Sequence, residues 1–326
     1  MNKPYSAPEI IDFDRFSLRR LLDEAVAAGE AEVVSERVDL SDVAARLEGN
    51  PKAVFFNAAG PERAALVGNL AASRSRIGLA FGTSPERVVS EALSRLKRPQ
   101  PVIEVERSAA PVQQVVQVGE EADLTSLPVH LQHGLDGAPY ISAGLDFVRD
   151  PSTGLVNCGM RRLMLRGRRE AGIDLVAPSD LRAIYEASAR RKEPLPVAFA
   201  VGSTPIDHLA SVFRLPGDDL ELIAALRGAP LPVVKCVTSD LRVPADAEYI
   251  LEGYLDPAGH VEPEGPYGEF LGYYGGVKPN PVFHLTAITR RKDAIFQTST
   301  IGGRSMHLTD TALLIALRTE ITMWKV

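Results

Sequence analysis

The stretch Glu264-Gly265-Pro266-Tyr267-Gly268-Glu269-Phe270-Leu271-Gly272-Tyr273-Tyr274 sets two carboxylates on either side of a short turn. Gly265 and Gly268 free the backbone and Pro266 restricts it, so the turn governs how Glu264 and Glu269 face a common space. Carboxylates so placed can divide acid and base roles if their surroundings push their pKa values apart. The plain alternative is a charged hairpin tip, because turns are commonly polar. Spacing alone leaves both open.

Working outward, the chain changes texture near residue 101. Before it, helical and strand patterns alternate, as in an α/β unit. Residues 14–29 carry Phe16, Leu18, Leu21, Leu22 and Ala25 at helical spacing, and Ala31–Val38 and Ala53–Asn57 read as strands. Thr83 or Ser84 caps a helix with Pro85 in its first turn. Beyond residue 101 strand-like runs dominate: Ile141–Val148, Gly159–Leu165, Val197–Val201, Val233–Val237, Ile250–Leu255 and Phe283–Ile288. Helices are expected at Ser179–Arg191 and from about Asp218 to Arg227. Many strands with few helices point to a β-barrel-like centre.

The 326 residues suffice for two domains, and 45% hydrophobic with 24% charged residues is ordinary globular composition. A net charge of −6, with no basic tract, argues against a nucleic acid or an anionic membrane as partner. No run approaches the roughly 20 apolar residues of a membrane span, and the first residues lack a signal-peptide core. Cys158 and Cys236 match no metal or redox spacing, so a reduced cytoplasmic setting is the default. From Thr309 to Trp324 an amphipathic helix is expected, capped by Thr309 or Asp310, with Leu313, Ala316, Leu317 and Ile321 as its apolar stripe. That stripe needs a partner in this chain, in another subunit or in a domain beyond it; the third is expected.

Three further segments carry chemistry-bearing residues. Asn157-Cys158-Gly159-Met160-Arg161-Arg162 enters a strand, so Asn157, Gly159 and Arg161 share one face while Met160 and Arg162 take the other. Arginine there offers a rigid fork for carboxylate or phosphate, unless the strand is simply an exposed basic one. The acidic helix start near Asp219 and Glu221 either complements the helix dipole or supplies oxygen ligands to a hard cation. His130 and His133 form a weak pair in a loop and receive no role.

Taken in order, Asn157–Arg162, the helix start at Asp219, Lys235–Ala245, Glu248–Gly253 and Glu264–Tyr274 resemble the UbiD family of reversible decarboxylases, which use prenylated FMN. The resemblance implies an N-terminal α/β domain (residues 1–110), a flavin-reductase-like split β-barrel (111–303) and the start of a linker helix (304–326). It also implies a further C-terminal domain beyond this chain. That domain would mediate oligomerisation and bring a lysine to the cofactor phosphate, and no residue here is assigned that part.

The catalytic trio carried over by position is Arg162, Glu264 and Glu269. Arg162 and Glu264 would form an ion pair, with Glu269 beside it as proton donor, its pKa raised by burial and the nearby negative charge. Asn157, Met160, Arg161, Arg162, Ser179, Ser211 and Phe213 would contact the cofactor. A divalent metal, Mn2+ or Mg2+, would be held by Asn157, Asp219 and Asp180, the last standing where the family has a histidine, with K+ nearby on the backbone of Ala210, Ser211 and Phe213. The implied partners are a small carboxylic acid, a prenyl-flavin synthase as cofactor supplier, and copies of the same chain. The rivals are a flavin-binding protein without catalysis and a carboxylate-pair glycosidase. The glycosidase is disfavoured by a single tryptophan, placed in the terminal helix.

Overall fold

The computed structural model describes residues 11–325. Ser17 caps helix α1 (Leu18–Ala27) by accepting from the Arg20 amide, and Leu18, Leu21, Leu22 and Ala25 are its buried face, the expected register. Strand β1 (Ala31–Val34) is shorter than expected; Val38 returns only as a single bridge to Ala59. Helix α2 (Leu40–Leu47), which sequence reading overlooks, crosses to β2 (Ala53–Ala59), parallel to β1. Strand β3 (Ala64–Gly68) turns back antiparallel to β2, and α3 (Arg74–Phe81) and α4 (Val88–Leu96) follow, α4 after a 3-10 turn begun by Pro85.

The rest of the chain is built round a barrel. Short strands β4 (Val102–Glu104) and β5 (Val115–Val118) lead to the long pair β6 (Tyr140–Arg149) and β7 (Val156–Leu165), then β8 (Glu170–Ile173). Helix α5 (Asp180–Arg190) is capped by Ser179 and precedes β9 (Leu195–Val201). Helices α6 (Pro205–Ser211) and α7 (Asp219–Arg227) come next, then β10 (Leu231–Lys235), β11 (Arg242–Pro244) and β12 (Tyr249–Leu255). Four short strands frame the glutamate turn: β13 (Glu262–Glu264), β14 (Tyr267–Gly268), β15 (Tyr274–Gly275) and β16 (Lys278–Asn280). They are followed by β17 (Val282–Arg290), β18 (Ile295–Gln297) and α8 (Asp310–Lys325).

Strands run in the order β12-β9-β6-β7-β8-β17, and a further β12–β17 pairing closes them into a six-stranded antiparallel barrel, with β5 added outside β17. Closure runs through β12, which bonds β9 on one edge and β17 on the other. Opposite Glu252 and Gly253 the β17 ladder bulges, with Thr286 as the extra residue. Only glycine fits there, since a Cβ on Gly253 would lie 2.0 Å from the His284 carbonyl oxygen. Phe199 and Phe283 meet edge to face in the core that runs through the barrel. A second core lies between the barrel's outer face and helices α4, α6, α7 and α8. Strand β18 pairs parallel to β3, so a segment late in the chain completes the first sheet.

Helix α8 departs from expectation. Its buried face is Leu314, Leu317 and Ile321, while Ala316 is exposed. That face packs inside this chain, in the core shared with α4 and α6. Thr309 Oγ1 accepts from the Ala312 amide as the cap. Asp310 is spent elsewhere: its carboxylate accepts from the Ala71 and Thr300 amides at 2.5 and 2.9 Å, fastening α8 to the first sheet.

Candidate active site

Strand β7 carries the centre of the site. The β7–β8 hairpin pairs Leu163 with Ile173, which sets Arg162 beside Asp174, just past the end of β8. Arg162 Nη2 donates to Asp174 Oδ2 at 3.0 Å. The same guanidinium grips Glu264 with two bonds, Nε to Oε1 at 3.0 Å and Nη2 to Oε2 at 3.3 Å. Its Nη1 donates to Glu269 Oε1 at 2.8 Å. Burial works against the charge of Arg162, but the bonds and charges of Glu264, Asp174 and Glu269 prevail and hold its pKa above the ordinary arginine value. The Tyr267 ring lies 4.5 Å below the guanidinium carbon.

This arrangement differs from the expected one in a definite way. The sequence reading sets Glu269 apart from an Arg162–Glu264 pair, whereas Arg162 bonds both. The acids differ in anchorage instead. The Glu264 side chain is 2% exposed and doubly held; that of Glu269 is 31% exposed and singly held.

The turn between them is braced from below by residues that sequence reading passes over. Gly265 has φ +99°, a left-handed conformation open to glycine, and its amide points at Met164 Sδ. Asp136 accepts from the Gly268 amide at 2.9 Å and from the His133 amide at 2.9 Å. The His133 ring packs edge-on against Tyr267, and the Tyr267 hydroxyl donates to Gln132 Oε1. Burial pushes the Tyr140 hydroxyl well above its usual range, and the Glu264 charge adds to this. A hairpin register would have signalled Asp174; nothing local in the sequence signals Gln132, Asp136 or Tyr140.

The other predicted residues, from β7, the start of α5 and the end of α6, gather elsewhere. Asn157, Met160, Arg161, Ser179, Asp180, Ser211 and Phe213 all line one cavity of about 270 Å3, while Arg162 and the two glutamates do not line it. Arg161 Nε lies 3.1 Å from Asp146 Oδ1 inside the barrel wall, where burial pushes Asp146 up to about 6 against the pull of Arg161. Asp219, at the start of α7 with Asp218 as its cap, borders an adjoining cavity of about 470 Å3 that Asn157 and Asp180 also line. Its Oδ2 accepts from the Cys158 amide at 2.7 Å and from Asn157 Nδ2 at 3.2 Å.

Burial raises Asp219 to about 7, the Cys158 amide opposes it, and the charges of Asp218, Asp146 and Asp180 raise it further. An acidic group crowded by other acids is what a bound cation would relieve. Two carboxylates and an amide oxygen suit a hard divalent ion such as Mn2+ or Mg2+. Among the described residues no three His, Cys, Asp or Glu side chains converge on one point, so this set depends on the Asn157 amide.

A closed antiparallel barrel joined to an α/β unit thus carries on β7 both an arginine–carboxylate cluster and part of the wall of a separate cavity. The 3-octaprenyl-4-hydroxybenzoate carboxy-lyase Rift-related domain matches residues 103–305, and the N-terminal domain of the same carboxy-lyase matches residues 26–96. The chain belongs to the UbiD family.

Among solved structures, it is similar to an evolved dimeric form of the UbiD-class enzyme HmfF from Pelotomaculum thermopropionicum in complex with prFMN. The identity is 32% and the TM-score 0.86, over 95% of this chain and 72% of that one. Vanillic acid decarboxylase of Sedimentibacter hydroxybenzoicus in its closed form is 28% identical with a TM-score of 0.87, covering 95% and 68% of the two chains. The 3,4-dihydroxybenzoic acid decarboxylase of Klebsiella pneumoniae is 26% identical with a TM-score of 0.84, covering 95% and 69%. No helix among the described residues is long and apolar enough to cross a membrane.

Proposed function

We propose that this chain catalyses the reversible, non-oxidative decarboxylation of an aromatic, heteroaromatic or α,β-unsaturated carboxylic acid with prenylated FMN. The observation that carries the reading is Arg162. On one face of β7 it holds Glu264 and Glu269, while its neighbours Asn157, Met160 and Arg161 line the cavity read here as the flavin site. Solved UbiD-class relatives in complex with prFMN or FMN support the choice of cofactor.

When bound, prenylated FMN supplies the electron sink that a departing carboxylate needs. The chain's own residues bind, orient and move the proton. Arg162 holds Glu264 by two bonds in a buried place. Glu269, tied to Arg162 by one bond and open to solvent on one side, delivers the proton that replaces carbon dioxide. The rings of Tyr140 and Tyr267 exclude water beneath the guanidinium. Asn157, Asp180 and Asp219 would hold Mn2+ or Mg2+ at the cofactor phosphate, with K+ on the backbone oxygens near Ser211 and Phe213. A prenyl-flavin synthase as supplier, a homo-oligomeric state and a cytoplasmic location complete the reading.

The test is Glu269→Gln in protein produced together with a prenyl-flavin synthase. The expected result is unchanged cofactor absorbance with loss of turnover on a panel of unsaturated and aromatic acids. Full turnover in that variant would remove Glu269 from the reaction. A second reading, a flavin-binding protein without catalysis, is favoured by Asp180 in the family's histidine position. It predicts bound cofactor and no activity on any acid even with Glu269 intact.

A further inference from the structure

Sequence reading finds no basic residue in this chain to meet a cofactor phosphate. The cavity lined by Asn157, Arg161, Ser211 and Phe213 has one: Arg318, on α8. Three guanidiniums border that cavity, and two are otherwise engaged or turned outward. Arg161 is offset by Asp146 at 3.1 Å. Arg214 is exposed and donates to the Pro178 carbonyl at 3.2 Å.

Arg318 is half-buried, forms no ion pair among the described residues and gives one long bond, Nη1 to the Val212 carbonyl at 3.4 Å. A guanidinium has five N–H donors in a fixed fork, so most of this one is unspent. Asp180 also lines the cavity, so an anion entering there needs a cation to outweigh that carboxylate.

The helix that presents Arg318 is held firmly. Leu314 and Leu317 are each 1% exposed. Asp310 is bonded to Ala71 and Thr300, and Arg74 Nη2 meets Glu320 Oε2 at 2.6 Å. The Cα of Arg318 is therefore fixed before any ligand arrives, which lowers the entropic cost of binding.

We infer that Arg318 is a binding residue for the phosphate of a flavin mononucleotide, taking the part for which the sequence offered no candidate. This rests on the reading of the cavity as a flavin site. It needs no prenylation and no turnover, because the phosphate is common to FMN and its prenylated form.

The experiment compares FMN with riboflavin, which lacks the phosphate, by fluorescence titration of cofactor-free protein. Wild type should bind FMN more tightly than riboflavin. Arg318→Gln should weaken FMN by about tenfold to a hundredfold, the range of one charged hydrogen bond, and leave riboflavin unchanged. Arg318→Lys, which keeps the charge without the fork, should recover part of the loss. Unchanged FMN affinity in Arg318→Gln would overturn the assignment while leaving the cavity reading intact. Equal loss of both flavins in that variant would make the role structural and also overturn it. A wild type indifferent to the phosphate would sink the flavin reading of the cavity, and the assignment with it.

Discussion

Replacing Arg162 by leucine should separate the two glutamates energetically. Arg162 serves three carboxylates, Glu264, Glu269 and Asp174, whose side chains are 2%, 31% and 21% exposed. Without the cation, Glu264 is left as a buried carboxylate with its two bonds gone, a loss of the size measured for broken buried pairs, about 3–5 kcal/mol. Glu269 can turn to water, and its pairing is of the partly exposed kind, worth about 1 kcal/mol or less. The assay is urea unfolding of cofactor-free protein in two double-mutant cycles, Arg162→Leu with Glu264→Gln and Arg162→Leu with Glu269→Gln. The lost stacking of Arg162 on Tyr267 enters both cycles and cancels from the comparison. The expected coupling is about 3 kcal/mol or more with Glu264 and about 1 with Glu269. Equal couplings, or a larger one for Glu269, would refute the claim that one glutamate is fixed and the other released.

Three other outcomes follow from the packing. His208 is fully buried on α6, and desolvation holds it down to about 4, with Gln297 pulling the other way. The unfolded chain takes up that proton near 6.5 and the native state only near 4, so the stability lost to protonation grows as pH falls between those values. Set against His208→Gln in urea titrations, the wild-type advantage should shrink by about 3 kcal/mol from pH 7.5 to 4; a constant gap would refute this. Leu317→Ala on α8 should cost about 2–5 kcal/mol of unfolding free energy, and a neutral result would mean that α8 does not pack on this chain. Gly265→Ala, at φ +99° with the Gly276 carbonyl 3.1 Å from the new Cβ, should cost about 1–3 kcal/mol and abolish turnover, while FMN binding is retained.

What was legible in the sequence was local. Ser179 and Asp218, where the two central helices were expected to start, cap them because a side-chain oxygen can reach the first free amides, a relation spanning two or three residues. The strands β6, β7, β9, β12 and β17 show as apolar runs for the same reason. Barrel closure has no such signal: Leu251 pairs with Phe199 on one side and with Ile288 on the other, and neither partner alters the pattern round Leu251. The transfer of β18 to the first sheet is equally silent, since Ile295–Gln297 looks the same beside Ala65–Val67 as it would inside the barrel. On α8 Leu317 and Ile321 are buried as expected, but Leu314 is buried where Leu313 was expected and Ala316 is exposed, because Leu313, Leu314, Ile315, Ala316 and Leu317 offer apolar residues on nearly every side. Arg318 was passed over for a related reason. An arginine on an amphipathic helix is usually solvated, and only the packing of α8 turns this one toward the cavity.

The difference between the two glutamates could not come from the turn itself, because both flank the same glycines and proline. It comes from what each flank is attached to. Glu264 ends β13, which pairs with β16 through Glu262–Asn280 and Glu264–Lys278, and its carboxylate points into the protein. Moving it would break that ladder and strip a buried charge of its partner. Glu269 follows β14, a two-residue strand, and is tied by its amide to the Tyr273 carbonyl in a loop where Leu271 and Tyr273 are 59% and 75% exposed. Few buried contacts resist its displacement. A proton donor must leave its hydrogen-bond partner, reach the reacting carbon and return. The carboxylate on the weaker flank can do so at small cost, while the one on the stronger flank keeps Arg162 charged and in place. If the proposed roles hold, their division resides in β13 and β14, and shortening β13 by one residue pair should lower the Arg162–Glu264 coupling measured in the double-mutant cycle toward that of Glu269.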